Sequence, residues 1–90
     1  MSTTEDLKHE AQQLLENLRQ QRDELKVQIH LANMEVHDEW QDLERKWEHF
    51  KSRVKQFKDV ADDSAEDVGD AVLELAHEVR EGYRKIRDIL

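Results

Sequence analysis

Apolar residues recur at every third or fourth position along most of this chain, and that spacing leaves few folds open to it. They fall at Leu7, Ala11, Leu14 and Leu18, then at Leu25, Ile29, Ala32 and Val36, then at Trp40, Leu43, Trp47, Phe50, Val54, Phe57 and Ala61. Steps that alternate between three and four draw one apolar stripe along an α-helix, the a/d seam of a coiled coil. The same letters exclude a sheet. There is no proline, and the glycines are two, Gly69 and Gly82, so a β fold lacks the residues that build its turns. Charged residues make up 40% of the chain, against about a quarter in ordinary domains, which suits solvated helix faces. Disorder also has so polar a composition, but it does not keep a strict apolar period. The expectation is an all-α protein with one domain over residues 1–90.

Thr3 or Thr4 stands where a helix cap belongs, with Glu5 and Asp6 near the positive end of the dipole. Neither glycine nor proline interrupts residues 4–61, so the spacing predicts a first helix over about 4–61, a rod of roughly 87 Å at ~1.5 Å per residue. Two steps are irregular, one across Gln21 and Arg22 and one where Val36 gives way to Trp40. Both read as four-residue stutters. Leu25, Val27, Ile29 and Leu31 alternate as well, which in a helix puts apolar side chains on more than one face. Asp62-Asp63-Ser64 is the expected turn, at about 62–64, with Ser64 and Asp67 resembling a capping box. A second helix over about 64–90 carries the seam Val68, Val72, Leu75, Val79, Gly82, Ile86 and Ile89.

Charge comes in blocks, and the blocks suggest a topology. Residues 35–44 hold five acids and no base, 45–58 one acid and six bases, 59–79 eight acids and no base, and 80–90 two acids and four bases. Folding the second helix back on the first sets Lys58 near Glu66 and Asp67, Lys55 near Asp70, Lys51 near Glu74 and Lys46 near Glu78. Exposed pairs contribute only about 0–1 kcal/mol each, but flanking charges choose register and orientation. The favoured architecture is therefore a long helix plus a shorter helix as an antiparallel coiled-coil hairpin. Its core would be Trp40, Leu43, Trp47, Phe50, Val72, Leu75 and Val79. The alternative is a three-helix bundle with a turn at 32–37, which would put a connection where the chain has no glycine or proline.

The hairpin leaves residues 5–34 uncovered by their own chain. Their stripe, with Leu14, Leu18, Leu25, Ile29, Leu31 and Val36 as the contact residues, then calls for a helical partner. Changing Leu25 and Ile29 to Asp is expected to break that assembly while residues 36–90 keep most of their helicity. Gly82 faces the Trp40–Trp47 region in this arrangement, making room for an indole, so Gly82→Leu should destabilise it.

Chemistry-bearing patterns are weak. Glu74 and His77 have the Glu-x-x-His spacing of di-iron bundles, but they fall on the solvent side of the second seam. His9, His30, His37 and His49 form no three- or four-ligand set of the kind zinc needs. Arg45, Lys46, Lys51, Arg53, Lys55 and Lys58 interleave with aromatics, as nucleic-acid surfaces do, yet those aromatics occupy seam positions. A net charge of −8 repels nucleic acid and anionic lipid. No phosphate loop and no nucleophile–base pair is present, and cysteine is absent, so no catalytic, metal or cofactor site is expected. With no signal-like N-terminus and no apolar run long enough to span a bilayer, the expected location is cytoplasmic. The function expected is non-catalytic, a structural or scaffold element that forms a homo-dimer or homo-tetramer. The alternative is an adaptor or small regulator that binds another helical protein through residues 5–36.

Overall fold

A computed structural model describes residues 4–90 of the chain. The buried residues of its first helix are Ala11, Leu15, Leu18, Leu25 and Ile29, a stripe that keeps its step of three or four except where Arg22 stands. That helix, α1 (Thr4–Ile29), ends far short of residue 61. The chain turns at 30–33 and enters α2 (Met34–Lys58), then turns again at 59–61 into α3 (Asp62–Ile89). The three helices run up, down and up in a bundle measuring 46 × 17 × 16 Å, all-α among the described residues. The long-helix hairpin is thus corrected to the three-helix arrangement, and the boundaries 4–61, 62–64 and 64–90 are corrected with it. Thr3, one of the two cap candidates, lies outside the described residues.

Burial decides this outcome. A helix running straight from 4 to 61 would leave Leu15, Leu18, Leu25 and Ile29 in water, and each large apolar side chain gains about 1.5–3 kcal/mol on burial. Breaking the helix forgoes a handful of backbone hydrogen bonds at a net value of about 1 kcal/mol each. Covering the stripe from within the chain also avoids the rotational and translational cost of recruiting a partner. The burial gained outweighs the hydrogen bonds forgone.

The connection at 30–33 also shows why the absence of glycine was no obstacle. Among the described residues no backbone φ is positive, so this turn never enters the left-handed region where glycine is favoured. The Leu31 N–H bonds the Gln28 carbonyl at 3.1 Å and the Ala32 N–H bonds the Ile29 carbonyl at 3.0 Å. Asn33 then takes an extended conformation (φ −75°, ψ 174°), and its side chain accepts a 3.0 Å hydrogen bond from the Val36 N–H. It is an N-cap in full. The step at Val36 read as a stutter is the first turn of a new helix.

The second turn is tighter and slightly earlier than 62–64. The Asp59 N–H bonds the Gln56 carbonyl and the Val60 N–H bonds the Phe57 carbonyl. Ala61, not Ser64, occupies the N-cap position of α3. Ser64 lies in the first turn, with its N–H on the Ala61 carbonyl at 3.1 Å. Lys8 of α1 closes this end of the bundle, its Nζ donating to the carbonyls of Lys58 (3.1 Å) and Val60 (3.0 Å). A cation is favourable there, beside the negative end of α2.

α2 and α3 share the most extensive contact and α1 rests more on α3 than on α2. Their register is the one the charge blocks suggested. Leu43 lies against Gly82, Phe57 against Gly69, and the rings of Trp40 and Tyr83 stack with centroids 5.9 Å apart. Lys46 and Glu78 line one groove between the two helices, together with Asp42 and Lys85. The paired blocks face each other, but Lys46, Lys51, Lys55 and Lys58 close no ion pair with α3 among the described residues. Lys51 pairs instead with Glu48 on its own helix. Gly82 makes room for Leu43 rather than for an indole: an added Cβ would fall on Leu43 Cδ2.

On α3 the deepest residues are Ala65, Val72, Ala76, Val79, Tyr83 and Ile86, while Val68 and Leu75 are half-buried at the margin. Val72, Val79 and Ile86 of the expected seam are buried, but Val68, Leu75 and Gly82 each stand one residue before the buried Gly69, Ala76 and Tyr83, and Ile89 is exposed. A helix packed between two neighbours buries a wider face than a two-helix seam. Its centre sits between the two partners, so Ala76 and Tyr83 replace Leu75 and Gly82 as the innermost side chains.

Candidate interaction surface

The residues expected to hold a partner and those expected to hold the hairpin together meet in one core. Leu18, Leu25, Ile29 and Val36 are buried there beside Trp40, Leu43, Trp47, Phe50, Val72 and Val79. Leu14 and Leu75 pack on its edge. The stripe over 5–36 is covered by α2 and α3, so the ground for assigning association to it is removed. Leu31 is the exception, standing in solvent.

At the margin of that core a half-buried ion pair links α1 to α2, with Tyr83 of α3 nearby. Arg22 occupies the heptad position between Leu18 and Leu25, where a stutter was expected. Its Nε donates to Glu44 Oε1 at 2.8 Å and its Nη2 to Glu44 Oε2 at 2.7 Å, a two-pronged bond between α1 and α2. The guanidinium lies 5.9 Å from the Trp47 ring centroid, within reach of a cation–π attraction. Hydrogen bonding to Glu44 raises the Arg22 pKa, against an opposing effect of burial. Tyr83 of α3 is fully buried nearby, and its hydroxyl has no hydrogen-bond partner. Burial first, then the Glu44 carboxylate, holds its phenol above the ordinary value. Arg22 and Glu44 satisfy one another and so tie α1 to α2 at this level of the bundle.

The other sequence candidates lie apart. His9, His30, His49, Glu74 and His77 are exposed and His37 is half-exposed; among the described residues no three His, Asp or Glu side chains are grouped to hold a metal. Trp47, Phe50 and Phe57, which interleave with the α2 bases, are buried and cannot stack on bases of a nucleic acid. No helix among the described residues is long and apolar enough to cross a membrane.

What stands out on the surface is the end of the bundle opposite Lys8. Leu31 is 93% exposed, Met34 80%, Val27 71%, Ile89 56% and Leu90 47%. Leu31, Ile89 and Leu90 line one shallow depression with Ala32 and Val36. Val27 lies one turn before Leu31, and Met34 opens α2 just beyond it. Among the described residues Leu73, at 38%, is the one large exposed apolar side chain elsewhere. The patch could be seen in part from the alternation of Leu25, Val27, Ile29 and Leu31, which sends the first and third inward and the second and fourth out.

No protein-family model, curated protein or solved structure matches the chain.

Proposed function

We propose that this protein is a non-catalytic helical association element, whose contact surface is the apolar end around Leu31 and not the stripe of α1. The observation that supports this reading is the exposure of Leu31, Ile89 and Leu90 around one depression, with exposed Val27 and Met34 on the helix turns at the same end. Single exposed apolar side chains are ordinary; a group of them at one place marks a contact surface. The run from Val27 to Met34 is also free of charged residues, in a chain that is otherwise densely charged. Arg22 and Glu44, half-buried at the margin of the core, are engaged with each other.

A photo-reactive amino acid placed at position 31 tests the proposal in the source cell. Adducts of defined mass are expected from position 31, with none from position 73, where Leu73 is the isolated exposed residue. An absence of adducts from position 31 would end the proposal.

A further inference from the structure

We infer that α1 exchanges between two copies of this chain. The 30–33 connection straightens, α1 and α2 join as one helix, and the α1 of each copy packs on the α2 and α3 of the other. This goes beyond the association reading above and does not involve the apolar end. The α1 stripe is buried in both forms and is never itself a free docking surface.

The phase of the two helices carries the argument. An α-helix advances about 100° per residue. Continued at that pitch through the connection, the buried residues of α1 (Ala11 to Ile29) and of α2 (Val36 to Phe57) all fall within one arc of about 120°. Ala32, half-buried against the core, lies in the same arc. Two helices joined by a turn can each present any face to the other, so the closed bundle does not require this match. A continuous helix does.

The connection is also close to helical already. The Leu31 and Ala32 N–H groups bond carbonyls three residues back, at 3.1 and 3.0 Å, which is a tightened last turn of α1. Asn33 is where the chain departs from the helical path, with ψ at 174°. Its side chain then holds the closed form by accepting from the Val36 N–H. In the continuous helix that N–H bonds the Ala32 carbonyl instead. The hinge is therefore Asn33, and its cap is the latch.

The partner follows from the surface exchanged. The groove of α2 and α3 that covers α1 fits α1, and a second copy brings the same helix. The bond of Arg22 to Glu44 re-forms between copies, and no new complementarity is needed. Association costs rotational and translational freedom, so the closed form holds at low concentration and exchange appears at high concentration.

Spin-label distances test this on the whole chain. Cysteine is absent, so Arg19→Cys with Glu48→Cys, both exposed positions, takes labels at those sites alone. In the closed bundle they lie about one turn beyond the Arg22–Glu44 pair, on adjacent helices. In the exchanged form they are roughly 44 Å apart along one helix. Labelled copies diluted in unlabelled ones are refolded from urea at high concentration and separated by size. The dimer is expected to show the long intrachain distance and the monomer the short one. Asn33→Ala removes the latch and puts a better helix former at the hinge, which should raise the dimerisation constant about a hundredfold, about tenfold from each chain. Met34→Pro acts in the opposite direction. Residue 34 opens α2, where proline is accommodated, and Asn33 already has the extended conformation that precedes a proline. The closed bundle should keep its melting temperature, while proline there breaks the continuous helix and the dimer should be lost. No dimer from Asn33→Ala at any concentration, a dimer with only the short distance, or a dimer that persists in Met34→Pro would each overturn the inference. Adducts from position 31 decide the association surface separately.

Discussion

Tyr83 shows how much a single side chain can hold in a core of this size. Its ring stacks on Trp40 and fills the space between α2 and α3, yet its buried hydroxyl is unpaired. An unsatisfied buried hydroxyl costs about 1–3 kcal/mol. Tyr83→Phe keeps the ring and removes that cost, so it should stabilise the protein by about 1 kcal/mol, seen as a higher melting temperature by calorimetry. The pH dependence has a definite sign. The folded-state pKa is raised above the ordinary 10.0, so the unfolded chain ionises first. This group's contribution is constant below about pH 10 and is lost as pH climbs beyond it. Urea midpoints of the parent should decline through that range more steeply than those of Tyr83→Phe, and equal slopes would refute the assignment. Arg22 carries the related lesson about legibility. Positions 11, 15, 18, 22, 25 and 29 keep the three-four step without interruption, so the seam was written in the letters. An arginine there reads as a break until Glu44 is known to face it, and that is a fact of another helix.

At the scale of elements, the two ends of the first connection were unequally visible. Asn33 is among the best N-cap residues, and Glu35 follows it in the first turn of α2, so a helix start could be read here. The missing glycine argued the other way, and it argued wrongly, because a turn with negative φ throughout needs none. Removing the cap should be felt at once. Asn33→Ala is expected to cost about 1 kcal/mol, measured as a shifted urea midpoint, with faster amide exchange at Val36 than elsewhere in α2. Unchanged exchange at that amide would mean that Asn33 does not hold the helix start. The α2–α3 pairing, by contrast, followed directly from the charge blocks. The register of Leu43 on Gly82 agrees with them, even though the lysines themselves do not close contacts across the groove.

For the whole molecule, the decisive change is where α1 finds its cover. With Leu25 and Ile29 at 2% and 4% exposure in a core shared by all three helices, they no longer belong to a separable arm. The double change Leu25→Asp, Ile29→Asp buries two charges without partners, each costing several kcal/mol. A domain of this kind has in total about 5–15 kcal/mol of stability. The expected outcome is cooperative loss of helicity in all three helices, followed by far-UV circular dichroism and urea titration. Survival of a helical 36–90 segment would instead restore a hairpin that folds without α1.

The chain's own letters determined its helical state, the positions that lie on a stripe, and the way α2 pairs with α3, because these depend on residues a turn apart or on blocks of charge. Only the tertiary structure decided that the first long stripe is folded in two at 30–33 and that Arg22 is met by Glu44 at the margin of the core. Both follow from comparing cover supplied by the same chain with cover supplied by another. That comparison sets side chains distant in sequence against each other, and periodicity within one segment holds no record of it.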